Sequence, residues 1–228
     1  MKQRPHAPPL RGSLPSEGAR FALGRPGGET FIYLASQSPR RRELLTQWGV
    51  RHELLLPDAD EDAESLEAVR ANEAPASYVQ RVTALKLEAA MARLKRRGLP
   101  AAPVLCADTT VALGRRILGK PANAAEARRM LADLSGRPHR VLTAVAVGKG
   151  ARRWTALSAS SVVFDALTPA QIRRYVEGGE PMGKAGAYAI QGHAGLWIRR
   201  ITGSHTGIVG LPAFETAQLL RAAGLSIL

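Results

Sequence analysis

The sequence predicts an α/β fold: a mixed β-sheet with helices on both faces. Short apolar runs typical of buried strands recur along the chain together with amphipathic stretches typical of helices. These elements do not follow the strict strand–helix–strand alternation of a purely parallel sheet, so some neighbouring strands must run antiparallel. The length of 228 residues and the hydrophobic content of 45% are sufficient for the core of such a domain.

The first predicted unit consists of a strand, a turn and a helix, and it carries the most distinctive sequence of the chain. Residues 31–35 form a short apolar run, which predicts a buried strand, and residues 36–38 form a small polar turn. Ser38 suits a helix N-cap and Pro39 suits the first helical position. An apolar stripe at helical spacing follows in Leu44, Leu45 and Trp48.

Three consecutive arginines, 40–42, lie in the first turn of this helix. A helix N-terminus carries partial positive charge and unpaired N–H groups, so three cations there are unfavourable unless an anion lies among them. A bound phosphate would supply that anion, and guanidinium groups would add bidentate contacts. The alternative is an exposed basic turn whose positive charge is partly offset by Glu43.

The later elements follow from hydrophobic periodicity and from glycine and proline breakers. Residues 53–74 are the acidic stretch of a basic chain and predict a loop with a short helix. The elements predicted after it are a helix at 78–97, a strand at 103–113 with a hairpin return at 117–118, a helix at 122–134, strands at 140–148 and 154–164, a helix opened by Thr168 and Pro169, strands around 188–190 and at 196–201, and a helix at 214–223.

Residues 1–30 contain five prolines and five glycines without periodicity, which predicts a disordered leader ahead of a single domain at 31–228. Cys106 is the one cysteine of the sequence, so no internal disulfide can form. No apolar run approaches the ~20 residues of a membrane helix, and the N-terminus lacks the continuous apolar segment of a secretory signal. We therefore expect a cytoplasmic protein without a membrane partner.

The formal net charge of +13 favours a negatively charged partner, such as nucleic acid or a phosphorylated small molecule. Aromatic residues make up 5% of the chain, and no Lys/Arg run is interleaved with them. This pattern argues against a groove that stacks single-stranded nucleic acid. We expect no nucleic-acid partner.

Asp108 lies inside an apolar strand, where a carboxylate costs free energy unless it is paired, hydrogen-bonded or bound to a metal. At a strand end it would face a crevice where ligands bind. It could then act as a general base toward water or as a magnesium ligand. The alternative is a structural carboxylate that caps a nearby turn.

Other candidate site residues are isolated in the sequence. Lys86, Lys120 and Lys184 could each present a point charge to phosphate, although a solvated surface position is the alternative for each. Gln191 ends a predicted strand, and its amide could read a base edge because it both donates and accepts hydrogen bonds. The five histidines show no metal-binding spacing, and His139 is expected in a loop. The residues alone thus indicate an enzyme or a binding protein for a phosphorylated ligand.

Several motifs in register resemble those of the Maf nucleotide pyrophosphatases, and together they span residues 31–225. The matching blocks are LASQSPRRRELL at 34–45, ADTTV at 107–111, GKP at 119–121, SGR at 135–137 with His139, TAV at 143–145, GEP at 179–181, AGAYAIQG at 185–192, and VGLP at 209–212 with Glu215 and Thr216. Two positions depart from the family pattern: Gly183 stands where an acidic residue is usual, and Gly207 replaces a commoner polar residue.

The resemblance implies a nucleoside triphosphate pyrophosphatase with a fold like that of the inosine triphosphatase group. That fold is an elongated mixed sheet flanked by helices, and the domain at 31–228 would then have two lobes around a central cleft. It implies a divalent cation, Mg²⁺ or Mn²⁺, as cofactor and Asp108 as the proton acceptor that activates water. Arg40, Thr109 and Gln191 match positions of substrate selection, and in the branch that this chain resembles these residues accompany dTTP and UTP.

Further roles also come from the resemblance alone. Ser36, Arg41, Lys86 and Lys120 would line the phosphates. Asp108 would bind the metal together with Glu61 or Asp60. A homodimer is one oligomeric state compatible with this interpretation. Three alternative functions stay open: the same reaction on a methylated guanosine triphosphate, a nucleotide-binding regulator of cell division with little turnover, and a basic nucleic-acid binder.

Overall fold

The computed structural model describes residues 31–59, 61–62 and 65–227, so the predicted leader at 1–30 lies outside the described residues. The described part holds one seven-stranded sheet. Its strands are β1 (Ile32–Leu34), β2 (His52–Leu54), β3 (Val104–Leu113), β4 (Arg116–Leu118), β5 (Pro138–Lys149), β6 (Arg152–Phe164) and β7 (Ile198–Thr202). Their order is β2-β1-β3-β5-β6-β7, with β4 paired to β3.

Six α-helices accompany the sheet in the described part. They are α1 (Pro39–Gln47), α2 (Pro75–Arg96), α3 (Ala124–Leu134), α4 (Pro169–Glu177), α5 (His205–Val209) and α6 (Ala213–Ala222). Short 3₁₀ turns occur at Ser65–Glu67, Ala185–Ala187 and His193–Trp197. None of the described helices is both long enough and apolar enough to cross a bilayer.

The sheet is mixed, as predicted. β1 runs parallel to both β2 and β3, whereas the pairs β3–β4, β3–β5, β5–β6 and β6–β7 are antiparallel. The long antiparallel core formed by β3, β5 and β6 explains why the sequence lacks strict strand–helix alternation.

Helices pack on both faces of the sheet, and β3 is therefore buried on both sides. Its successive side chains point to opposite faces. On one face, Leu105 shares a buried apolar cluster with Leu45 of α1 and Leu220 of α6. On the other face, Cys106 shares a cluster with Leu87 of α2. The predicted α/β fold class is confirmed, and burial of Cys106 raises the pKa of its thiol to about 12.

A gap in the sheet leaves the middle of β3 accessible along one edge. β1 pairs with β3 only as far as Leu105, and β4 pairs with β3 only from Val111 onward. Between these points, residues 106–110 have a strand neighbour, within the described ranges, only in β5. Asp108 and Thr109 lie in this gap, so the topology places two polar residues of an apolar strand where a ligand can reach them.

Two segments differ from the sequence-based prediction. The strand predicted around 188–190 is wrong: the chain there forms a turn between two 3₁₀ segments. Gly186 and Ala187 have φ of +67° and +62°, which interrupts an extended strand. In this loop Tyr188 is buried, whereas Ala189 and Ile190 are half-buried. Residues 53 and 54, predicted as the start of a loop, belong instead to the short edge strand β2 (His52–Leu54).

His139 was expected in a loop but lies within β5, where it is 2% exposed. Its Nε2 is 2.8 Å from the hydroxyl of Tyr188, and its ring packs edge-on against Phe164. Burial lowers the pKa of His139 to about 4. The neutral imidazole therefore fixes Tyr188, and with it the loop that precedes Gln191.

Candidate active site

One cleft of about 1080 Å³ opens at the gap beside the middle of β3. It contains ten residues that the sequence singled out, contributed by segments from residue 36 to residue 191. They are Ser36, Arg40, Arg41, Glu61, Lys86, Asp108, Thr109, Lys120, Lys184 and Gln191. Asp60, the alternative metal ligand, lies outside the described residues. The structure thus brings the predicted residues together, while their individual roles stay predictions.

Asp108 contributes a carboxylate to one side of the cleft. It is 9% exposed, and its Oδ1 accepts a hydrogen bond from Lys86 Nζ at 2.6 Å. Lys86 comes from α2, the long helix that covers this face of β3 and β5. The sequence indicates that a carboxylate in this apolar strand needs a partner. The structure supplies that partner as the ammonium group of Lys86, 22 residues earlier in the chain.

Glu67 joins the two predicted phosphate-binding lysines. Its Oε1 is 2.6 Å from Lys86 Nζ, and its Oε2 is 3.1 Å from Lys120 Nζ. Tyr78 holds the segment in place by donating a hydrogen bond to the Glu67 carbonyl at 3.0 Å. The carboxylate of Glu67 therefore occupies the space between two cations that an anionic ligand would seek.

The charges of this group shift one another's pKa values. Burial acts to lower the pKa of Lys86, but the neighbouring Asp108 and Glu67 carboxylates outweigh it and raise that pKa. Burial acts to raise the pKa of Glu67, but Lys86 and Lys120 outweigh it and lower that pKa. The cluster thus holds Lys86 as a cation and Glu67 as an anion. The sequence shows Glu67 as one of several acids in 53–74, with no spacing that points to this contact.

Arg41 occupies the other side of the gap, where it connects four segments. It donates hydrogen bonds to the Gly210 carbonyl at 2.8 Å, to Ser36 Oγ at 3.0 Å and to Thr109 Oγ1 at 3.3 Å. Burial lowers the pKa of its guanidinium, and the nearby Asp108 carboxylate partly offsets this. Arg41 therefore holds α1 against β3 as well as lining the cleft.

Ser36 and Arg40 lie at the N-terminal end of α1. Ser36 Oγ accepts hydrogen bonds from the Ser38 backbone N–H at 3.2 Å and from Arg41, so its own proton remains available for a ligand. The Arg40 side chain lines the cleft and makes no side-chain hydrogen bond or ion pair with any residue in the described ranges. Ser36 and Arg40 could therefore both donate directly to an anion at this helix end.

Lys184 adds a further positive charge to the cleft. Burial lowers the pKa of its ammonium, and Arg40 lowers it further, which places the two cations near each other. The Lys184 ammonium donates to the Glu180 carbonyl. Two neighbouring cations in one cleft favour a ligand with several negative charges.

Glu61 is engaged by two arginines of α2. Arg93 contacts its carboxylate through Nε at 2.9 Å and Nη2 at 2.5 Å, and Arg96 Nη2 contacts it at 2.6 Å. These hydrogen bonds, the Arg93 contact first, lower the pKa of Glu61 to about 2. To bind a metal, Glu61 would have to leave these partners. Across residues 31–59, 61–62 and 65–227, no group of three or more His, Cys, Asp or Glu side chains is arranged to hold a metal ion.

Gln191 lies in the cleft wall next to a turn that Glu180 stabilises, and the sequence analysis gave Glu180 no individual role. Gly192 closes a turn through its N–H to the Ala189 carbonyl at 3.1 Å. The Glu180 carboxylate accepts hydrogen bonds from the His193 N–H at 3.1 Å and from the Tyr175 hydroxyl at 2.9 Å. A Cβ at position 192 would lie 1.9 Å from Glu180 Oε1. A larger residue at position 192 would therefore have to displace the Glu180 carboxylate from its present position.

Comparison with known proteins gives a consistent similarity. A family model described as Maf-like protein matches residues 31–223. A protein of Albidiferax ferrireducens named dTTP/UTP pyrophosphatase is 66% identical over 197 residues, covering 86% of this chain and 98% of that protein. A protein of the same name from Polaromonas sp. is 66% identical over 197 residues, with the same coverage of both chains. The protein of that name from Cupriavidus metallidurans is 63% identical over 196 residues, covering 86% of this chain and 98% of its own length.

Proposed function

The chain belongs to the Maf-like protein family, and on this premise we propose that it hydrolyses dTTP and UTP to the nucleoside monophosphate and pyrophosphate. Relatives at 60–66% identity carry the name dTTP/UTP pyrophosphatase. The observation that carries the proposal is the convergence of ten predicted residues in one cleft, with a carboxylate among cations. A cleft of this composition suits a polyphosphate next to a group that accepts a proton.

The lysine side of the cleft would hold the phosphates. Lys86 and Lys120 already share one carboxylate, that of Glu67, at 2.6 and 3.1 Å. A triphosphate carries more negative charge than this carboxylate and would compete for both ammonium groups. Ser36 and Arg40, at the N-terminus of α1, would add donors from the opposite side.

Asp108 would accept the proton of the attacking water. Hydrolysis between the α- and β-phosphates requires an activated water and stabilisation of the negative charge that develops on the phosphate oxygens. Lys86 orients the Asp108 carboxylate by a 2.6 Å hydrogen bond and lies within the same cleft as Lys120. One strand residue thus supplies the base, while the surrounding cations offset the developing charge.

A divalent cation fits the donor set of this cleft. Mg²⁺ in phosphate-transfer sites is typically bound by one or two carboxylates together with substrate oxygens. Asp108 is the first predicted ligand and Glu61 the second, and Glu67 shares Lys86 Nζ with Asp108 as a hydrogen-bond partner. When bound, the metal would polarise the phosphate and offset its charge.

Arg40, Thr109 and Gln191 would select the nucleotide. Gln191 offers an amide to a base edge, and Glu180 keeps the turn behind it in one position. The methylated guanosine triphosphate and the regulator with little turnover are the alternatives within the same cleft. Cytoplasmic location, a homodimer and the lack of a nucleic-acid partner stay predictions from the sequence.

The function can be tested by measuring pyrophosphate release from a panel of nucleoside triphosphates with Mg²⁺ or Mn²⁺. We expect kcat/KM for dTTP and UTP to exceed that for CTP, GTP and 7-methyl-GTP by about tenfold or more. Removal of the metal with EDTA should abolish release, and added Mg²⁺ should restore it. Highest activity on 7-methyl-GTP would support the first alternative, and tight dTTP binding without pyrophosphate release would support the second.

A further inference from the structure

The hydroxyl of Thr109 belongs to a chain of hydrogen bonds that starts in the cleft and ends at a buried carbonyl. Arg41 Nη2 lies 3.3 Å from Thr109 Oγ1, and Thr109 Oγ1 lies 2.9 Å from Thr143 Oγ1. Thr143, which is 1% exposed, lies 2.7 Å from the carbonyl oxygen of Gly207. Three segments, β3, β5 and α5, are joined by this chain.

The direction of each hydrogen bond follows from its far end. A carbonyl oxygen can only accept, so the single hydroxyl proton of Thr143 is donated to Gly207. Thr143 Oγ1 then accepts the proton of Thr109, because each hydroxyl has one proton to give. Arg41 can only donate to Thr109. Thr109 is therefore left with a free lone pair and no free proton, so it faces the cleft as an acceptor.

This fixed polarity matters because Gln191 cannot supply it. A side-chain amide can turn over by half a rotation and exchange its donor for its acceptor, so it can pair with uracil or with cytosine. The two bases differ at N3, which is an N–H donor in uracil and thymine and an acceptor in cytosine. A partner that accepts and cannot reverse would distinguish them.

We propose that Thr143 is a positioning residue that locks Thr109 as an acceptor for the N3–H of uracil and thymine, and so excludes cytosine. The inference rests on the proposed function and extends it to the way in which the pyrimidine is read. A base with an acceptor at N3 would face the lone pair of Thr109 without a proton between them, and that unpaired contact would weaken its binding.

Replacing Thr143 with valine tests the lock, because valine keeps the shape and removes the hydroxyl. The proton of Thr109 then becomes free to point into the cleft and to donate to cytosine N3. We expect the ratio of kcat/KM for UTP over CTP to fall by about tenfold, whereas Thr143→Ser should keep the ratio of the unmodified protein. Thr155→Val, an exposed position of β6 outside the cleft, is the matched control. An unchanged ratio in Thr143→Val, with a melting temperature near that of the control, would overturn the proposal.

A second measurement uses the unmodified protein and therefore does not depend on how the variant folds. In 3-deaza-UTP, a C–H group replaces N3–H at nearly the same size. We expect UTP to be preferred over 3-deaza-UTP by about tenfold in kcat/KM, and equal values would contradict the proposal. Lack of pyrophosphate release from UTP itself would instead refute the proposed function, so the two failures are distinguishable.

Discussion

Asp108→Asn is expected to lower kcat for pyrophosphate release from dTTP by a factor of about 10³ or more, since general base catalysis contributes typically 10² to 10⁴. Asparagine has the size of aspartate but cannot take a proton from water. Nucleotide binding should persist or tighten, because the substitution removes a negative charge from the cavity that would hold the phosphates. Stopped-time assays of pyrophosphate and calorimetric titration with dTTP separate the two effects.

The matched control for this substitution is Asp133→Asn. Asp133 lies on α3 in an exposed ion pair with Arg116 and is not among the residues of the cleft. Its replacement should leave kcat within a factor of about two, because exposed ion pairs contribute little free energy. Near-normal turnover in Asp108→Asn would refute the assignment of Asp108 as the base.

Lys86→Met is expected to lower kcat/KM for dTTP by about 10² or more, through both kcat and KM, since groups that stabilise developing charge typically contribute 10² to 10³. Methionine keeps the aliphatic stem but removes the ammonium that lies 2.6 Å from both Asp108 and Glu67. Two carboxylates then face each other without a cation between them. The repulsion would raise the pKa of Glu67 and disfavour an incoming triphosphate.

Lys95→Met is the control, because Lys95 is exposed near the end of the same helix and lies outside the cleft. Circular dichroism and melting temperature should be similar for the two variants if Lys86 acts on the substrate. A threefold or smaller loss in Lys86→Met would indicate that the lysine only pairs with its neighbours.

The sequence was sufficient to predict those elements whose signals are local. Ser38 lies at the N-cap position of α1 and Pro39 is its first residue, as expected, although the Ser38 side chain makes no capping hydrogen bond. The apolar run around Asp108 forms the strand β3, as predicted, and its polar residues line the cleft. The gap beside β3 could not be predicted, because it depends on where β1 and β4 stop pairing. That pairing is decided by residues distant in sequence.

The contacts that complete the cleft are also long-range. Glu67 binds Lys120 across 53 residues, and Glu180 holds the N–H of His193 across 13. Nothing in the spacing of the acidic residues distinguishes Glu67 from its neighbours. The strand predicted around 188–190 was wrong because there a local signal was present without the structure that it usually indicates. Tyr188 is buried against Phe164 and His139, so the sequence of this loop is apolar like that of a strand. The positive φ values of Gly186 and Ala187, which interrupt an extended strand, could not be read from that pattern.

A crystal structure of the protein with α,β-methylene-dTTP and Mg²⁺ would test most directly whether one cleft joins the cations of α1 and α2 to Asp108. We expect the triphosphate to displace Glu67 from Lys86 and Lys120, with the α-phosphorus within reach of one water molecule from Asp108 and thymine N3–H donating to Thr109. A nucleotide bound elsewhere, or bound with its α-phosphorus remote from Asp108, would contradict the proposed mechanism.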